Sequence, residues 1–166
     1  DHASDTVRLA NQYNSKVAAT FELAVILKDE GVPEQNLVYM NKGGTCEING
    51  LSVSLTHAFH SSSYDTEKRG TLYAGEACGV IIDDGSNVIY HAGDTALFSD
   101  MTLIREFYKP RIGFLPIGDT FTMNPKEAAM AASMLGLELA IPIHYGTFPL
   151  LTGDPSEFEV HCKTLN

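Results

Sequence analysis

Two rhythms of apolar residues alternate along this chain, and they divide it into three stretches. Residues 3–13 place Val7, Leu9 and Ala10 at helical spacing, with Ser4 or Asp5 able to cap the first turn. A short strand over 16–20, a helix over 21–31 and a second strand over 36–40 follow; Gly31 and Pro33 mark the stop of that helix. This alternation predicts an α/β layer. From residue 45 the period shortens to two. Runs at 45–48 and 51–59 flank Asn49-Gly50, a pair that tolerates positive φ at both positions and so predicts a tight hairpin. A second hairpin is expected from 79–82 and 87–91 around Asp83-Asp84-Gly85-Ser86. Between the two, residues 61–77 are polar and aperiodic, and read as a long, functional loop.

The helical rhythm then returns. Helices are predicted near 98–108, 125–135 and 155–163, and apolar strands over 112–117 and 137–143. Pro125 sits where the first turn of a helix accepts it. The order predicts a layered α/β protein with mixed sheets, in the α+β sense of the word.

Composition narrows the function classes. The chain has 166 residues, 44% of them hydrophobic and 19% charged, which suits one globular domain. No apolar run approaches the roughly 20 residues of a membrane span. The net charge is −10 and the basic pairs are short and isolated, which disfavours a nucleic-acid partner. A small-molecule substrate remains, and a homo-oligomer is left open. Cys46, Cys78 and Cys162 are odd in number and lack CxxC spacing. The first two sit in apolar runs and read as small buried residues. That usage suits a reducing, cytoplasmic setting.

Candidate chemistry lies where apolar strands run out. His60 follows the strand that contains Leu51, Val53 and Leu55, with His57 three residues before it; one of the two is expected to be a ligand and the other a support. Asp94 follows Val88-Ile89-Tyr90, Asp119 repeats that placement after the next strand, and only one of these two need bind. His144 follows Ala140-Ile141-Pro142-Ile143. Asp1 and His2 open the chain. Carboxylates and imidazoles gathered from separate strand ends are the donors that zinc and similar cations take, with a position left for water.

The segments Asp1-His2-Ala3-Ser4-Asp5-Thr6, Ala58-Phe59-His60-Ser61-Ser62, Tyr90-His91-Ala92-Gly93-Asp94-Thr95-Ala96-Leu97-Phe98, Leu115-Pro116-Ile117-Gly118-Asp119 and Ile141-Pro142-Ile143-His144-Tyr145 resemble the metallo-β-lactamase superfamily. The chain is most similar to its UPF0173-like branch of small bacterial and archaeal metal-dependent hydrolases, relatives of the ascorbate-6-phosphate lactonases. The resemblance implies an αββα sandwich. It also implies a single domain over 1–166 that lacks the family's N-terminal strands and its last C-terminal strand, and that is poorly stable as this span alone.

In the family the first ligand motif reads His-x-His-x-Asp-His, and Asp1 and His2 match its final pair. The resemblance then implies His60 as a ligand of one metal site and Asp1, His2 and His144 as ligands of the other. Asp94 would bridge the two, and His57 and His91 would support them. Two divalent ions, zinc or alternatively manganese, would activate a water for attack on an ester, lactone or phosphodiester bond, with Asp1 as the catalytic group that orients the nucleophile. Residues 61–77 and 118–124 are expected substrate walls, and the amides opening the helix at Pro125 an expected anion site. The alternative is a catalytically silent protein of the same fold with an incomplete metal site.

Overall fold

In the computed structural model, which describes residues 2–165, the first helix is α1, Thr6–Tyr13. It begins later than its apolar spacing predicts. Residues 2–5 form a turn, and the Asp5 side chain does not cap the helix. Its carboxylate instead accepts from Arg8 at 2.9 Å, one turn on. The fold divides into two compact units. One runs to Gly44 and also takes in Ser61–Glu76, and the other holds Thr45–His60 and everything from Ala77 on.

In the first unit β1 (Val17–Thr20), α2 (Phe21–Asp29) and β2 (Leu37–Met40) form a strand–helix–strand unit. The two strands pair in parallel, Val17 against Leu37. Ala10, Ala19, Ala24, Leu27, Val32 and Leu37 make its core, with Tyr64 packed on the outside.

Tyr64 belongs to the segment expected from the sequence to be a loop. That segment is a hairpin of β5 (Ser63–Thr66) and β6 (Gly70–Tyr73). Both strands are four residues long and mostly exposed, so little apolar alternation marks them. The turn is closed by side chains. Thr66 Oγ1 accepts the Arg69 N–H at 2.8 Å, and the Arg69 guanidinium reaches Asp29 at 3.2 Å at the end of α2.

The second unit is built on a six-stranded sheet. Its strands are β3 (Thr45–Ile48), β4 (Leu51–His57), β7 (Cys78–Asp83), β8 (Val88–His91), β9 (Ile112–Pro116) and β10 (Leu139–Ile143). Their order in space is β10-β9-β8-β7-β4-β3. Asn49 and Gly50 take φ of 52° and 83° between β3 and β4, as the predicted hairpin requires.

The helices α3 (Met101–Tyr108), α4 (Pro125–Leu135) and α5 (Pro155–Leu165) belong to this unit. Ile81, Tyr90, Met101, Leu115, Met123 and Leu135 lie in the core that the sheet shares with its helices. Cys46 and Cys78 are half-buried rather than buried as expected.

Strand direction positions the chemistry. The strands β8, β9 and β10 are mutually parallel, and β4 runs with them because it is antiparallel to β7, which is antiparallel to β8. Four strands therefore deliver their C-terminal ends to the same end of one sheet. Backbone there is released from the ladder and free to present side chains.

Candidate metal centre

Asp94 and His144 meet at this end of the sheet. Asp94 comes three residues after β8 and His144 directly after β10, with β9 between the two strands. Asp94 Oδ2 and His144 Nε2 lie 3.2 Å apart, and each side chain is 17% exposed.

The donor set is one carboxylate oxygen and one imidazole nitrogen. Ligands held tetrahedrally about 2.0–2.1 Å from a zinc ion lie roughly 3.3 Å from one another, so this separation fits two ligands of one cation. The same distance suits an imidazole N–H donating to the carboxylate.

Local structure fixes both groups. His144 adopts φ 58°, the left-handed region that a residue with a Cβ occupies only when its surroundings impose it. The surroundings are close. A Cβ on Gly118 would stand 2.8 Å from His144 Nδ1 and nearer still to the His144 carbonyl oxygen. Only a glycine at 118 lets the backbone after β9 run this tightly against the residue after β10.

On the other side, Gly93 has φ 64°, and a Cβ there would lie 2.8 Å from the Cys78 carbonyl oxygen. Thr95, fully buried, pins the Asp94 loop on both flanks. Its hydroxyl accepts the Phe59 N–H at 3.0 Å, and its carbonyl accepts the Met123 N–H at 3.2 Å. Thr95 and Gly118 carry no sequence signal of this role beyond standing next to Asp94 and after β9.

The other expected site residues are placed as follows. His60 lies three residues past β4, exposed, with Nε2 3.1 Å from the Phe121 carbonyl oxygen, an arrangement that puts its proton on Nε2. Among the described residues it is not gathered with Asp94 and His144. His2 is exposed in the turn before α1, in the first unit. Asp1 lies outside the described residues.

Asp119 is exposed at φ 61° in the loop after β9. His57 packs edge-on against Phe59 with ring centroids 4.4 Å apart. His91 stacks on Phe114, and its Nδ1 accepts the Gly93 N–H at 3.1 Å.

A further expectation is overturned. The amides opening α4 do not form an anion site. Pro125 has no N–H, and the Glu127 N–H donates to Asn124 Oδ1 at 2.9 Å. In return Glu127 Oε2 accepts the Asn124 N–H at 3.0 Å, which places a carboxylate where an anion would have to sit.

A family model described as Beta-lactamase superfamily domain matches residues 1–145. A UPF0173 metal-dependent hydrolase of Rubrobacter xylanophilus is 46% identical over 166 residues, which cover 99% of this chain and 68% of that protein. Another, from Geobacillus thermodenitrificans, is 48% identical over 158 residues, covering 95% of this chain and 69% of its own length. Among solved structures, Igni18, a metallo hydrolase from the archaeon Ignicoccus hospitalis, matches with a TM-score of 0.85 at 34% identity, covering 98% of this chain and 67% of that one. The mixed α/β architecture is accordingly that of the metallo-β-lactamase fold. By its strand-end carboxylate and imidazole, its fold and its relatives, the chain belongs to the β-lactamase superfamily, in the branch of the UPF0173 metal-dependent hydrolases.

Proposed function

We propose that the protein hydrolyses an ester, lactone or phosphodiester bond of a small molecule with a water activated between two divalent cations, zinc or manganese. The observation that carries this reading is the Asp94–His144 pair, a carboxylate and an imidazole 3.2 Å apart at one end of the sheet. The naming of relatives from Rubrobacter and Geobacillus as metal-dependent hydrolases supports it.

In this reading Asp94 would be the carboxylate shared by the two ions, and His144, His2 and Asp1 would hold one of them. The carboxylate of Asp1 orients the attacking water and takes up its proton. His60, whose Nε2 contacts the Phe121 carbonyl, would hold the other ion. Bound cations supply the acidity of the water and polarise the scissile carbonyl or phosphoryl oxygen. Thr95 and Gly118 hold Asp94 and His144 at their separation, so little reorganisation is needed. The net charge of −10 favours a small substrate over a nucleic acid, and cysteines without CxxC spacing favour a cytoplasmic setting.

Metal analysis of the purified protein tests this. About two ions per chain are expected. Asp94→Ala should lose them together with hydrolysis of model esters, while the far-ultraviolet dichroism of the fold persists. A wild-type protein that stays metal-free and inert in zinc and in manganese would instead be the catalytically silent form of this fold.

A further inference from the structure

The loops after β9 and β10, the second of which begins at His144, expose large apolar side chains. Phe121 is 48% exposed, Phe148 46% and Leu150 54%, and the two phenyl centroids lie 6.2 Å apart. Their carrier loops are tied to each other. Thr120 Oγ1 donates to the Leu150 carbonyl at 3.0 Å, and the Gly146 N–H to the Leu151 carbonyl at 3.3 Å.

The same loops are tied to the pair. The Phe121 carbonyl is bonded to His60, Met123 to Thr95 next to Asp94, and Phe148 follows His144 by four residues. Asp119 and Thr120, just before Phe121, hold φ of 61° and 35°. Non-glycine residues keep such angles only where their surroundings over-determine them. The rings are thus held by the backbone that also holds the site.

Charge points the same way. Residues 118–124 and 145–152 contain no lysine or arginine, and they include Asp119. A phosphorylated substrate would find no cationic side chain on these loops to share its charge. Phenyl rings and a leucine instead offer apolar area that a hydrocarbon chain can bury.

We propose that Phe121 and Phe148 form the wall that receives the acyl chain of the substrate, so that the site takes a carboxylic ester or lactone of medium-chain, apolar acyl character. This rests on the hydrolase reading above and selects among its bond types. Tyr145 and Leu150, on the same loop as Phe148, are also exposed, at 37% and 54%.

The test is calorimetric titration of the metal-stripped full chain with octanamide and with acetamide. Neither probe needs a metal or a chemical step. Octanamide should bind at least about tenfold more tightly than acetamide. Phe121→Ala and Phe148→Ala should each raise its Kd several-fold, while acetamide is unaffected. In the loaded enzyme the same variants should lower kcat/KM for p-nitrophenyl octanoate and leave that for the acetate ester within about twofold.

Equal affinities for the two amides, or variants that leave octanamide binding unchanged, overturn the proposal. So does a change of sedimentation coefficient in the variants with no change in octanamide affinity, since the rings would then pack against a second copy. Asp94→Asn separates the two readings: it should lose hydrolysis and keep octanamide binding. A wild type that binds octanamide yet hydrolyses no ester overturns the hydrolase reading, and one that hydrolyses acetate and octanoate esters alike overturns the wall alone.

Discussion

Tyr90 shows how far one buried side chain sets the response of this fold to pH. It is fully buried in β8, and burial pushes its hydroxyl pKa up to about 12. A tyrosine in the unfolded chain titrates near 10, so above that pH the unfolded state gives up a proton that the folded state keeps. The contribution of Tyr90 should therefore be fully present below about pH 10 and be lost between about pH 10 and 12, at roughly 1.4 kcal/mol per pH unit. Urea titrations across that range should show the fall, and Tyr90→Phe should remove it. The same scale separates what was legible in the sequence from what was not. Asp94 and His144 stand out because an apolar run precedes each. Thr95 and Gly118 do not, because their roles are contacts to Phe59, Met123 and His144, which are distant in sequence.

At the scale of elements, local chemistry was legible and weak periodicity was not. The boundaries of α4 follow from Pro125 at its first turn and Gly136 after its last, and the turn between β3 and β4 follows from Asn49-Gly50. The β5–β6 hairpin escaped because Tyr64 and Leu72, which pair across it, are too few to mark an apolar alternation in two four-residue strands. The anion site expected at α4 failed for a local reason too: Asn124 and Glu127 cap each other.

The strand β10 carries a further element-level consequence. Among the described residues it is an edge strand of the sheet, and Leu139 N–H and Ile143 C=O both bond toward β9. Alternation then turns the backbone of Ala140 and Pro142 to the open edge. Pro142 has no N–H to offer there, which blunts the edge against another strand. Pro142→Val restores a donor. Sedimentation velocity should show the variant self-associating at concentrations where the parent does not; identical sedimentation would remove this role from Pro142.

For the molecule as a whole, metal and folding are linked. An ion that binds only the folded chain stabilises it by about 2.7 kcal/mol at a concentration 100 times its Kd. Thermal melts should rise in zinc, return on addition of EDTA, and stay flat in Asp94→Ala. The fold class was legible at this scale from the switch between helical and strand rhythms. The division into two units was not, since Gly43-Gly44 and Ser61-Ser62-Ser63 are as short as ordinary turns and do not show which segments pack together. Because Ser61–Glu76 belongs with the N-terminal residues, the polypeptide crosses between the units after Gly44, after His60 and after Glu76. On a ribosome adding about 5–20 residues per second, neither unit can be completed from a continuous stretch of new chain. The first waits for Tyr64 and Arg69, while the hairpin of β3 and β4 has already emerged without its neighbour β7. Nascent chains of this protein therefore carry an unpaired strand edge through part of their synthesis.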